Sequence, residues 1–176
     1  MSPASLLPPD VRIRPATVAD CAALHALVCE LADYERAPDE VHTTPESFAR
    51  DGFGPTPAFR AVIAETTTPE APSSPVLGMA LFYERFSTWK GRSMYLEDFY
   101  VRPSERGRGI GQALFAAVAA ETLAAGCVAL QWQVLDWNTP AIGFYEALGA
   151  TWSTEWWNGR LAGDALHRMI SISERN

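Results

Sequence analysis

The chain has 176 residues, 48% hydrophobic and 20% charged, which predicts a full core and one domain over residues 11–176 behind a flexible tail, residues 1–10. A formal net charge of −7 argues against nucleic acid, which needs a basic patch, and suits a cationic substrate. No apolar run approaches the ~18 residues of a membrane span, and the N-terminus lacks the basic-then-apolar order of a secretory signal.

Residues 11–14 read as a first strand, ended by Pro15. Thr17 and Asp20 form a capping-box-like start. Cys21, Leu24, Leu27, Val28 and Leu31 then keep helical spacing to about Tyr34. A short helix is expected over residues 45–50 with Thr44 as its cap, then a turn rich in Gly and Pro. Residues 59–65 alternate as a strand, and the Thr, Ser and Pro of residues 66–75 make an exposed loop. Strands follow over residues 76–86 and 93–101, joined by a hairpin turn at residues 88–92. A helix over residues 109–125 ends at Gly126, and residues 128–135 form another strand. Asn138 caps a last helix, with Pro140 tolerated in its first turn and Gly149 at its end. Residues 151–156 and 165–171 read as two closing strands. The expected order is thus β-α-α-β-β-β-α-β-α-β-β, an α/β (α+β) chain.

Cys21, Cys29 and Cys127 are odd in number and lack C-x-x-C, against a disulfide framework or a zinc site; a reducing cytoplasm fits. His25, His42 and His167 are scattered, and no metal is expected. Asp136-Trp137 reads as a surface turn.

The strand Tyr95-Leu96-Glu97-Asp98-Phe99-Tyr100-Val101 runs past Pro103 into Arg106-Gly107-Arg108-Gly109-Ile110-Gly111. Ile110, Leu114 and Val118 continue at helical spacing. Such a turn offers backbone N–H groups and a positive helix end to a phosphate or pyrophosphate. The glycines at 107, 109 and 111 fit neither G-x-G-x-x-G nor the Walker loop. What remains is R-x-x-G-x-G, which resembles the acetyl-CoA pyrophosphate loop of the GNAT N-acetyltransferases; an ordinary strand-to-helix turn is the plain alternative.

Further segments sharpen the resemblance: Arg14-Pro15-Ala16-Thr17, Asp51-Gly52-Phe53-Gly54, Ser87-Thr88-Trp89-Lys90-Gly91-Arg92, Val134-Leu135-Asp136-Trp137-Asn138 and Leu148-Gly149-Ala150. Over roughly residues 11–160 the chain resembles the spermidine/spermine (diamine) acetyltransferase family. Ser87-Thr88-Trp89 stands where the polyamine branch has Asp-Pro-Trp, so the chain looks closer to the thialysine Nε-acetyltransferase branch.

The resemblance implies a GNAT fold: a mixed, mostly antiparallel sheet with helices on both faces. It implies acetyl transfer from acetyl-CoA, without a metal, to a primary amine of a small cationic substrate by direct attack. Acceptors would be thialysine, lysine-like amino acids or diamines. The alternatives are a protein or peptide acetyltransferase and a non-catalytic acetyl-CoA-binding module. Glu97 would deprotonate the amine, directly or through a water; an ordinary sheet carboxylate is the alternative. Regular alternation would put Glu97 and Asp98 on opposite faces of the sheet. Tyr145 would protonate the departing thiolate, and is otherwise a helix packing residue. Backbone groups of Phe99, Tyr100 and Val101 would pair with the pantetheine arm. Arg106, Gly107, Arg108, Gly109, Ile110, Gly111 and Gln112 would cradle the pyrophosphate, with Asn138, Pro140 and Tyr145 completing the cofactor set. Arg106 and Arg108 are otherwise solvated surface arginines. Tyr34, Glu35, Trp89, Glu97, Gln131, Trp132 and Gln133 would contact the substrate, Tyr34 being equally a helix-end packing residue. Trp156 and Trp157 line the same cleft or belong to a closing strand's core. A cytoplasmic homodimer without nucleic-acid or membrane partners completes the implied picture.

Overall fold

Alternation on the strands and three-to-four spacing on the helices create apolar faces that must be buried against one another. The structure, a computed structural model that describes residues 7–68 and 76–173, buries them in layers. Residues 1–6 of the expected tail and residues 69–75 of the expected loop lie outside the described residues.

In chain order the elements are β1 (Val11–Pro15), α1 (Cys21–Tyr34), α2 (Pro45–Phe53), β2 (Arg60–Thr66), β3 (Val76–Ser87), β4 (Gly91–Val101), α3 (Ile110–Ala124), β5 (Leu130–Gln131), α4 (Thr139–Ala147) and α5 (Asp164–Ser173). Thr44 caps α2 as expected, its hydroxyl accepting from the Ser47 N–H at 3.2 Å, with Pro45 in the first turn. The chain falls into two compact units that divide between Gln133 and Val134.

The larger unit is built on a five-stranded sheet ordered β1-β2-β3-β4-β5. β1 to β4 are antiparallel and β5 runs parallel to β4. On one face Ile110, Leu114 and Val118 of α3 meet Val62, Ala80, Phe82 and Leu96. On the other, Cys21, Leu24 and Leu27 of α1 and Phe48 of α2 meet Ile63, Met79, Leu81 and Tyr100. β2 is buried on both faces, which is why Ala61-Val62-Ile63-Ala64 reads as a continuous apolar run.

A charged network closes one edge. Arg14 donates two bonds to Asp20, both 2.8 Å, and one to Glu65 at 2.7 Å; Arg12 also pairs with Glu65. Asp20 further accepts from the Thr17 N–H at 2.7 Å, which ties β1 to the start of α1. The Arg14 hydrogen bonds hold the Asp20 carboxyl down at about 2 and lower that of Glu65. Leu7, ahead of β1, packs on the α3-side cluster.

Two strand expectations need correction in this unit. β4 does not alternate regularly: Leu81 faces Asp98 while Phe82 faces Leu96, so Glu97 is the extra residue of a β-bulge. Before the bulge Met94 and Leu96 turn toward α3; after it Phe99 and Val101 do. The strand expected over residues 128–135 is short, pairing with β4 only as Met94↔Leu130 and Tyr95↔Gln131. Trp132 then turns its ring edge-on to Phe115, at 5.4 Å between centroids, where the apolar face of α3 buries it.

In the smaller unit Asn138 caps α4, its side-chain oxygen accepting from the Ala141 N–H at 3.4 Å, and Gly149 follows it with a φ of 89°. The two closing strands expected at residues 151–156 and 165–171 are not formed. A strand needs a neighbour to satisfy its backbone, and the described residues of this unit contain none. Residues 165–171 lie instead in α5. Ile170-Ser171-Ile172-Ser173 alternates like a strand, but Leu166, Met169 and Ile170 keep helical spacing behind Asp164 in the first turn.

Candidate active site

The glycine turn forms as its sequence requires. Gly107 and Gly109 adopt φ of 76° and 79°, where a side chain would be strained, and Gly109 is the N-cap of α3. The first turn, Ile110-Gly111-Gln112, carries N–H groups that the helix itself cannot pair. Neither arginine of the turn is simply solvated. Arg106 Nε donates to the Val101 carbonyl at 3.0 Å, and its guanidinium lies 5.3 Å from the Tyr34 ring and 5.7 Å from the Tyr100 ring. Arg108 forms a two-bond pair with Asp10, at 2.7 and 2.9 Å, and also pairs with Glu105. An anion at the turn could meet its backbone N–H groups and the terminal N–H groups of Arg106.

Phe99, Tyr100 and Val101 lie in the part of β4 beyond its short ladder with β5, with β3 on the other side. Their side chains are committed to the core: Phe99 edge-on to Phe115 at 6.1 Å, Tyr100 among the residues packed with α1, Val101 on the α3 side. What this edge can offer a ligand is main chain.

The bulge at Glu97 has the largest chemical consequence. Tyr83, on the α1 side of β3 with Met79 and Leu81, donates its hydroxyl to Glu97 Oε2 at 3.1 Å. Asp98 stands opposite Leu81, on that same side. The two neighbouring carboxylates therefore share one face of the sheet, against the expectation of opposite faces. Burial, then the charges of Glu97 and Glu35, push the Asp98 carboxyl up to about 6. Burial also raises the Glu35 carboxyl. Tyr95 stands across from Tyr83, with ring centroids 5.5 Å apart. Burial first, and Glu97 next, raise both phenols. The arrangement is an anionic corner floored by two tyrosines, suited to holding or deprotonating a cation.

Of the residues expected to touch substrate, the fold gathers Glu35 and Glu97 into this corner and sets Tyr34 against Arg106. Gln131 stands across the β4–β5 ladder from Tyr95, hence on the corner's face of the sheet, whereas Trp89 and Trp132 do not join it. Trp89, 84% exposed, sits in the β3–β4 turn with its N–H on Ser87 Oγ at 3.3 Å. Trp132 belongs to the α3 side, behind Gln131 of β5 and before Gln133. Asp98, Tyr83 and Tyr95 were not among the expected contacts. Tyr83 and Tyr95 were findable as aromatics flanking a hairpin; Asp98 needed the bulge. Among the described residues no group of three or more His, Cys, Asp or Glu could hold a metal ion.

In the smaller unit Tyr145 is buried, two helical turns beyond the Asn138 cap, with Pro140 in the first turn between them. Its ring lies edge-on to Phe144 at 5.3 Å and to Trp152 at 6.2 Å. Trp152 Nε1 donates to Glu146 at 3.0 Å. Trp156 and Trp157 are exposed.

Residues 24–150 match the Acetyltransferase (GNAT) family, a match that runs across both units. The bovine thialysine N-epsilon-acetyltransferase is 43% identical over 90% of this chain and 96% of its own length. The human spermidine/spermine N(1)-acetyltransferase-like protein 1 is 34% identical over 79% of this chain and 20% of its own length. Among solved structures, a Vibrio cholerae integron cassette protein superposes with a TM-score of 0.73 at 25% identity, covering 92% of this chain and 98% of the other. Turn, sheet and relatives agree: this chain belongs to the GNAT acetyltransferase family and is an acyltransferase with the GNAT fold.

Proposed function

We propose that the protein transfers an acetyl group from acetyl-CoA, the co-substrate of GNAT acetyltransferases, to a primary amine of a small cationic substrate: thialysine, a lysine-like amino acid or a diamine. The observation that carries this reading is the bulge that turns Glu97 onto the face of Asp98. An ammonium is drawn to such a corner, and loses its proton there to become a nucleophile. Glu97 takes that proton, directly or through a water. The amine nitrogen bonds to the thioester carbon, the carbon–sulfur bond breaks, and Tyr145 gives its proton to the thiolate; the second proton of the bound nitrogen restores the phenol, and Glu97 passes the first to solvent. Glycines 107 and 109 and the first turn of α3 suit a pyrophosphate, and the main chain of Phe99, Tyr100 and Val101 suits the pantetheine arm.

The thialysine-acetylating relatives support a small amine over a peptide or polyamine, and the net charge of −7 disfavours nucleic acid. No described helix is long and apolar enough to cross a membrane. We read the protein as a cytoplasmic homodimer. Its free cysteines and the exposed Trp156, Trp157, Leu161, Leu166 and Met169 support that reading; a monomer on sizing chromatography would overturn the dimer.

The test is thiol release from acetyl-CoA with thialysine, lysine, ornithine, putrescine, spermidine and a short peptide. Turnover led by thialysine, slowed in Glu97→Gln and Tyr145→Phe, supports the reading. Fast spermidine turnover keeps the chemistry and removes the substrate assignment. Tight acetyl-CoA binding without turnover of any amine points to a binding module.

A further inference from the structure

The anionic corner has a cationic neighbour. Arg85 lies two residues beyond Tyr83 on β3, hence on the same face, and its guanidinium sits 4.7 Å from the centre of the Tyr95 ring. The other arginines near the β3–β4 hairpin are engaged elsewhere: Arg92 and Arg60 pair with Glu84, which projects to the opposite face. Glu97 raises and Arg85 lowers both the Tyr83 and the Tyr95 phenol. Along β3 this face carries Arg85, then the Tyr83↔Tyr95 pair, then Leu81 with Asp98 opposite it.

The spacing has a chemical meaning. The guanidinium lies against the Tyr95 ring, and along the backbone of β3 Asp98 stands opposite Leu81, two residues from the Tyr83↔Tyr95 pair. At about 3.4 Å per strand residue that interval is ~7 Å, close to the reach of an extended lysine side chain from carboxylate to terminal nitrogen. The tyrosine rings between the charges would bed its methylenes, or the thioether of thialysine, since sulfur sits well at aromatic edges.

We propose that Arg85 is a specificity-determining residue that receives the α-carboxylate of an amino-acid acceptor while Glu97 and Asp98 hold its side-chain amine. The proposal rests on the reading of Glu97 as the amine's partner. A diamine would meet repulsion at the Arg85 end, so the protein would prefer an amino acid over its decarboxylated or amidated counterpart.

The experiment compares kcat/KM for lysine with lysinamide, and thialysine with thialysinamide, in wild type, Arg85→Gln and Arg85→Lys. A charge-assisted pair predicts that Arg85→Gln shrinks the acid-to-amide ratio by about 10-fold or more, through KM, and that Arg85→Lys restores part of it. An equal fall on acid and amide, or no change in the ratio, overturns the proposal while the amine chemistry stands. Failure of the wild type to acetylate any of the four amines sinks the reading of the site and this proposal with it.

Discussion

Two carboxylate clusters in the larger unit use the same residue types to opposite ends. Around Arg14, Asp20 and Glu65 each meet a guanidinium, and both carboxyls are held below their ordinary values. On the α1 face, what acts on Asp98 is burial and two further carboxylates, and its carboxyl is pushed up. The first arrangement is complete in itself and holds β1 and β2 to the start of α1. The second costs the folded protein stability at neutral pH, a cost that a cation bound there would lower. Opposed carboxyl shifts separate a structural network from a candidate site more clearly than exposure does, since both lie within partly buried surroundings.

The strongest way to break this comparison is at Glu97. Glu97→Gln should lower kcat/KM for the amine by about 10²-fold or more with little change in melting temperature, because the residue is exposed on the bulge. An equally large loss of stability, read by calorimetry, would make it a structural carboxylate like Glu65. Removing Arg14 should do the reverse. Arg14→Ala leaves Asp20 without a cation and Glu65 with Arg12 alone, and should cost ~2–3 kcal/mol in urea unfolding.

That cost should fade in acid. The Asp20 carboxyl is lower folded than unfolded, so its contribution is full above its ordinary 3.8 and is lost as pH falls toward about 2. Asp98 should run the other way. Its carboxyl is higher folded, so its contribution is full below 3.8 and is lost as pH rises through about 6. Asp98→Asn, which mimics the protonated acid, should therefore stabilise the protein by ~1–2 kcal/mol at pH 8 and by nothing near pH 3. Destabilisation at pH 8 would mean that Asp98 is paired after all. At the small end, Glu84→Gln removes exposed pairs with Arg92 and Arg60 and should shift stability by less than ~1 kcal/mol.

Much of this architecture was legible locally. α1 follows from Cys21, Leu24 and Leu27 at helical spacing, and the turn into α3 from glycines at the two positions that need positive φ. The hairpin between β3 and β4 follows from alternation around Thr88–Arg92. Residues 165–171 misled because two periods coexist there, and only the want of a partner strand decides for the helix. Trp132 lies against Phe115 on the α3 side, a placement that depends on where β5 leaves β4 and that no local signal shows.

The sequence by itself determined most of the helices and strands up to β4, the glycine turn into α3, and the residue types at the candidate site, since propensity, capping and glycine φ act within a few residues. Only the tertiary structure decided where the charges meet. The bulge that brings Glu97 and Asp98 together, the stacking of Arg106 between Tyr34 and Tyr100, and the return of Arg85 over Tyr95 all depend on strand register and on packing across the chain. Register is set by long-range pairing, and one extra residue in one strand moves every later side chain to the other face.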